Sequence, residues 1–253
     1  MSQGKKKKGS AKNQPIASVR EPKETHPWRL CPPGEHWVSI HPRNIPKGGK
    51  TTVTGHCRTN PSRKDQIYAL ELTDIAKNYF EGVDSLPAPD NLGYRKGSDY
   101  DRLIAGWTKY WNEVLKPENP LDSNLIKALI ATESDFDPMA IALASKGNWA
   151  RGLTQVTDQT LKILSDEKGE IRDHLVNIDQ KEAYDPNLNI ATGIRWLFHK
   201  KHLLESRVGR PVSWEDAVME YKSYTKDIAT KKPKALKKQM EFIEKYQRLK
   251  GKK

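Results

Sequence analysis

The chain has 253 residues, 36% of them apolar and 30% charged, with a formal net charge of +12. That is length for one good-sized domain or for a domain plus a small module, and no apolar run is long enough to span a membrane. Charge is unevenly spread: residues 1–64 carry 14 Lys/Arg against 3 Asp/Glu, residues 226–253 carry 11 against 3, and the centre between them is acidic at net −7. Two functional classes fit basic ends of this kind: a grip on a polyanion (nucleic acid, an anionic wall polymer, a membrane surface) or plain solvated tails.

In chain order, residues 1–26 are rich in Lys, Ser, Gln and Pro without periodicity and read as a disordered basic tail. Residues 27–64 read as a β-hairpin module. Trp37-Val-Ser-Ile-His41 and Thr51-Thr-Val-Thr are rich in β-formers, and Asn44-Ile-Pro-Lys-Gly-Gly between them is turn-like. The arms echo each other fifteen residues apart, Val38…His41…Arg43 against Val53…His56…Arg58. Cys31 and Cys57 are too few for a disulfide scaffold in a chain this long and are expected as free thiols. A bond between them, or a zinc site with His36, His41 and His56, are the alternatives; the spacing fits no standard zinc pattern. No metal and no cofactor is expected.

From Asp65 to the end the signal is helical, and residues 65–253 read as one mainly α domain. Tyr68, Leu72, Ile75 and Tyr79 recur at helical spacing. Ser98 with Asp101 resembles a capping box opening a helix striped by Leu103, Ile104, Trp107 and Trp111. Asp122 or Ser123 caps the next, with Leu125, Ile126, Leu129 and Ile130 on one face. Asp185-Pro186 opens another, with Ile190, Ile194, Leu197 and Phe198. Ser213 with Asp216 opens one carrying Trp214, Ala217, Val218 and Tyr221. A last helix, near 233–249, turns Leu236, Met240, Ile243 and Tyr246 inward.

One residue breaks its stripe. Glu133 continues the face of Leu125 and Leu129 at the C-terminal end of its helix. Poor solvation and the negative helix end both disfavour its charge, so its pKa is expected to be raised. A carboxyl kept protonated near neutrality can protonate a departing sugar oxygen. The plainer readings are a frayed helix end in water, or a structural carboxylate paired with a cation such as Arg151.

The residues around Glu133 carry a resemblance. Glu133-Ser134-Asp135-Phe136-Asp137-Pro138-Met139-Ala140 and Gly152-Leu153-Thr154-Gln155 are similar to two signature blocks of the soluble lytic transglycosylase catalytic domain. Asp185-Pro186 through Asn189-Ile190 to Gly193, and Ala217 through Tyr221, resemble two more. The resemblance covers about residues 118–226 and implies a lysozyme-like helical fold that cleaves bacterial peptidoglycan. Glu133 would be its acid/base, and Ser134, Ser145, Gln155 and Tyr221 its substrate-binding groups. Three departures stand out: Thr154 where the family has Met, a loop at Ala142–Ala150 about four residues longer, and Lys222-Ser223-Tyr224 where the family has Asn-Ala-Gly.

What the resemblance implies is a non-hydrolytic cut leaving a 1,6-anhydro sugar. Inverting hydrolysis, with Asp135 or Asp137 as base, is the near alternative. From another class comes a nucleic-acid- or virion-binding protein with a vestigial lysozyme-like body. Met1 to Lys8 is basic with no apolar stretch following, so no secretory signal is read. The chain is expected to be made in a cytoplasm and to reach the wall by another route. Carriage by a phage particle, beside phage structural proteins, suits the basic ends.

Overall fold

The computed structural model describes residues 28–46 and 48–251; the tail read at 1–26 lies outside them. Four strands open the fold: β1 (Glu35–Val38), β2 (His41–Ile45), β3 (Gly49–Val53) and β4 (His56–Thr59). β1 pairs antiparallel with β4 and β2 with β3, so the module at 27–64 is one long hairpin broken midway. The fifteen-residue echo has a geometric meaning. Val38 faces His56 and Val53 faces His41 across the ladder. Each histidine donates from Nδ1 to the carbonyl two residues back, at 2.9 Å, Ser39 for one and Thr54 for the other. The ribbon thus repeats itself about a local two-fold. The echo fails at Gly55, against Ile40, because Trp37 lies over it: a Cβ there would meet the indole at 2.4 Å.

Cys31 and Cys57 are joined in a disulfide, with Cα atoms 5.5 Å apart. This corrects the free-thiol expectation and removes both sulfurs from the zinc alternative. Composition could not show it, because the pairing depends on how the segment before β1 curls back beside β4.

The ribbon is tied to the helical body at its base. The Trp28 indole donates to the Glu113 carboxylate, and its ring meets Tyr79, Phe80 and Tyr110 edge-on. Arg29 is buried, paired with Asp65 and with Glu71 at 3.2 Å, and it donates to the Glu35 carbonyl at 3.0 Å. His174 Nδ1 closes on the other Asp65 oxygen at 2.5 Å. Tyr110, His174 and Arg29 belong to three separate stretches of chain, so the joint is tertiary.

The body begins with a short strand, β5 (Gln66–Tyr68), where helix alone was expected. It pairs in parallel with β9 (Leu175–Asn177). The helices are α1 (Ala69–Tyr79), α2 (Asp101–Leu115), α3 (Ser123–Glu133), α4 (Asp158–Ser165), α5 (Pro186–Val208), α6 (Trp214–Tyr221), α7 (Thr225–Ala229) and α8 (Pro233–Leu249). A three-stranded sheet, β6 (Ile141–Ser145), β7 (Asn148–Arg151) and β8 (Val156–Thr157), sits between α3 and α4. α5 runs through the centre against α1, α2 and α6, and α3 packs on α2, α6 and α8.

Several starts follow the local chemistry read from the sequence. Asp122 accepts from Asn124 N–H to cap α3, and Asp185 accepts from Leu188 N–H with Pro186 in the first turn of α5. Ser213 and Asp216 form a reciprocal capping box on α6. α2 differs: its start has no side-chain cap. Ser98 instead donates to the Pro89 carbonyl at 3.0 Å, and Asp101 takes Lys127 Nζ at 2.9 Å. A buried lysine outcompetes the local cap, since an uncompensated buried charge is the costlier of the two. The stripe of α8 is also rotated from expectation. Phe242, Tyr246 and Leu249 are buried, while Met240 is exposed. No helix among the described residues is long and apolar enough to cross a membrane.

Candidate active site

α3 ends where the site begins. Seven consecutive residues, Leu125 to Ala131, are buried, which fixes the rotation of the helix and delivers Glu133 to its rim. The backbone then turns sharply, with Asp135 at φ +53° and Phe136 at φ +62°. Such angles strain side-chain-bearing residues. Here the buried Phe136 ring, packed near Tyr94 at 5.6 Å, holds the turn closed.

A second turn, Arg151–Gln155, faces this helix end. Asn189 on α5 organises it. Its side-chain oxygen accepts from Thr154 N–H at 2.8 Å and from Thr154 Oγ1 at 2.7 Å. Its amide donates to the Arg151 and Ala183 carbonyls at 3.0 and 2.7 Å. Gly193, one turn further along α5, is needed at the same place: a Cβ there would meet Thr154 Oγ1 at 2.3 Å. Thr154 is therefore buried in the body. Standing where the family has Met, this side chain points into α5. Arg151 pairs with Asp158, so it is not the partner of Glu133.

Of the predicted site residues, three converge on the two turns. Ser134 is buried and donates to the Leu153 carbonyl at 2.8 Å, tying the end of α3 to the second turn. Tyr221, at the end of α6, donates from its hydroxyl to the Thr154 carbonyl at 2.7 Å. Burial, and after it the Glu133 charge, pushes that phenol well up. Gln155 stands at φ +52° with its amide on the Ala140 and Gly152 carbonyls at 3.2 and 2.9 Å. Ser145 does not join them. It is exposed beside the tip of the β6–β7 hairpin, opposite Asn148. The extra residues of Ala142–Ala150 form that hairpin, and their own pairing carries Ser145 outward.

Gln155, Tyr221 and Ser223 line a cavity of about 330 Å³ together with Asn148, Trp196 and Lys200. A larger cavity of about 850 Å³ lies between the end of α2, the 170–174 loop and α5, and it holds none of the predicted residues. Size alone would have pointed there; the convergence of the two turns points to the smaller one. Glu133 is not on the wall of that cavity. Lys222, between the lining residues Tyr221 and Ser223, connects the two.

Lys222 Nζ donates to Glu133 Oε1 at 2.7 Å and to the Thr132 carbonyl at 3.2 Å. The lysine side chain is 6% exposed and the glutamate 17%. Sequence reasoning missed this contact. Its one signal was that Lys222 stands where the family shows Asn. The residues are 89 positions apart. Burial raises the Glu133 pKa above the ordinary carboxylate value, with Lys222 and then Lys238 pulling in the opposite direction. The expected rise is present, and burial is its main cause. A carboxyl of this kind, with one oxygen held and the other without a hydrogen-bond partner among the described residues, can hold a proton and release it.

The family model for the transglycosylase SLT domain matches residues 110–241. The chain belongs to this family, whose members cleave the glycan strands of peptidoglycan, and its lysozyme-like helical domain extends beyond both ends of the 118–226 resemblance. No curated protein and no solved structure matches the chain.

Proposed function

We propose that the chain is a lytic transglycosylase cutting the β-1,4 bond between N-acetylmuramic acid and N-acetylglucosamine, with Glu133 as the only catalytic carboxyl. The observation that carries this reading is the partly buried Glu133, raised by burial and set beside Tyr221 where the two turns meet. Protonated Glu133 gives its proton to the glycosidic oxygen as the C1–O bond breaks. The substrate's own N-acetyl carbonyl stabilises the charge at C1. Glu133, now a carboxylate, takes the proton of the C6 hydroxyl as that oxygen attacks C1, leaving a 1,6-anhydro sugar. Ser134 and Tyr221 keep the turns in place, and Gln155, on the second turn, receives the sugar. Acid/base work of this kind supplies roughly 10²–10⁴ in rate, and orientation of the ring supplies the rest.

Glu133→Gln keeps the shape and removes the proton. Cleavage of purified peptidoglycan should vanish while the fold survives, and undiminished cleavage by this variant would end the reading. Mass spectrometry of wild-type products distinguishes the chemistry. Anhydro ends support the proposal, whereas products heavier by one water support hydrolysis with exposed Asp135 or Asp137 as base. The basic ends and the exposed β ribbon suit binding to a polyanion, and the route to the wall by way of a virion rests on the same features.

A further inference from the structure

We propose that Lys222 is a positioning residue for the reaction: its ammonium, clamped between Glu133 Oε1 and the Thr132 carbonyl, dedicates Oε2 to the proton exchanged with the glycan and sets the pH range of cleavage. This rests on the reading of Glu133 as the acid.

Three observations carry it. The clamp is short and enclosed, with Nζ 2.7 Å from Oε1 and 3.2 Å from the carbonyl, on a side chain only 6% exposed. The carbonyl belongs to the last turn of α3, where backbone oxygens are left without helical partners and a cation is favoured. One ammonium therefore answers two negative groups, and it fixes the carboxyl plane as well as its charge. Oε2 is left without a hydrogen-bond partner among the described residues, so it is the oxygen available to a sugar.

The clamp has a consequence for pH, and the neighbours decide its sign. On α3, Glu133 is followed by Ser134 and the exposed Asp135. From the end of α6 come Lys222 and the neutral, partly buried Tyr221. From α8 comes Lys238, which is itself paired with Glu241 at 2.9 Å. From the second turn come Thr154 and Gln155, both uncharged. Among the described residues, Lys222 is thus the one cation bonded to the carboxyl, and burial opposes it. An ammonium in contact stabilises the carboxylate, so it lowers the pH at which Glu133 surrenders its proton. Cleavage needs the protonated form at the outset. The range of activity therefore lies further to the acid side than it would with a neutral residue at 222, and in return the carboxylate left by the first step is ready to act as base.

The experiment is a pH profile of kcat/KM on purified peptidoglycan for the wild type, Lys222→Met, Lys222→Asn and Lys222→Arg. Each is paired with a carbon-13 NMR titration of the Glu133 carboxyl in the substrate-free protein. With the charge gone, both the alkaline limb of the profile and the carboxyl titration should move up, by about one to three pH units. Lys222→Arg should hold both near the wild type. A merely structural lysine would lower activity at every pH without moving the limb. The proposal is overturned if the carboxyl titrates at the same pH in wild type and the neutral variants. Should Lys222→Met fail to fold, Lys222→Asn, carrying the residue seen in the family, gives the same reading, and the NMR arm needs no activity. If Glu133→Gln cleaves as well as the wild type, the assignment of the acid fails instead, and the two failures are separate.

Discussion

In the helical body, Trp107, Trp111, Leu125, Ile130 and Leu197 are sealed from water; in the ribbon, every residue of β2 and β3 except Val53 is exposed. Each fully buried aliphatic or aromatic side chain contributes on the order of 1.5–3 kcal/mol, so the body is held by its own core. The ribbon has no such source, and an isolated two-stranded hairpin is marginal in water. It is held from its base instead, by the Cys31–Cys57 bond, the Arg29 pairs and the Trp28 ring cluster. The comparison separates two modes of support: the body is held by its own core, and the ribbon by its joint to the body.

The largest effect expected from this division lies in the body. Glu133→Gln should cost roughly 10²–10⁴ in cleavage rate with the fold retained, read by turbidity clearing and circular dichroism. Next comes the joint. Arg29→Met leaves Glu71 buried without its cation and Asp65 with His174 alone, at a cost of about 3–5 kcal/mol. Denaturant unfolding should show the loss, with amide exchange of residues 41–53 accelerated more than that of α5. Equal acceleration in both would mean that ribbon and body form one cooperative unit.

Breaking the Cys31–Cys57 bond by Cys57→Ser acts on the ribbon alone, by about 2–4 kcal/mol for a loop of this length. Its amides should lose protection while the cleavage rate holds. The smallest effect is the response to acid. Burial would raise Asp65, but His174 and Arg29 outweigh it and bring its carboxyl down to about 2. The stability this gives is present above pH ~4 and is lost as pH falls through the folded value, a change of roughly 2 kcal/mol. Ribbon amides should open between pH 4 and 2 before the near-ultraviolet signal of the buried tryptophans changes.

Much of the fold could be read in short stretches of chain. The caps at Asp122, at Asp185-Pro186 and at Ser213 with Asp216 need only three or four neighbouring residues, and the structure has all of them. The same holds for the echo of Val38-His41 in Val53-His56. Where a local pattern met a distant competitor, it lost. Ser98 and Asp101 gave up their box to Lys127, and Met240 gave up the inner face of α8 to Phe242. Thr154, next to Gln155 in its block, is held by Asn189, 35 residues on.

The sequence by itself determined the helical class, the positions of the main helix starts, and the candidate acid at the end of a buried stripe. It could do so because helix periodicity and capping are set within a turn or two of chain. Only the tertiary structure decided that Cys57 meets Cys31, that Ser145 is carried outward on a hairpin, and that Lys222 holds Glu133. Those facts are distances between segments far apart in sequence, and such distances arise only once the core has fixed how the elements cross.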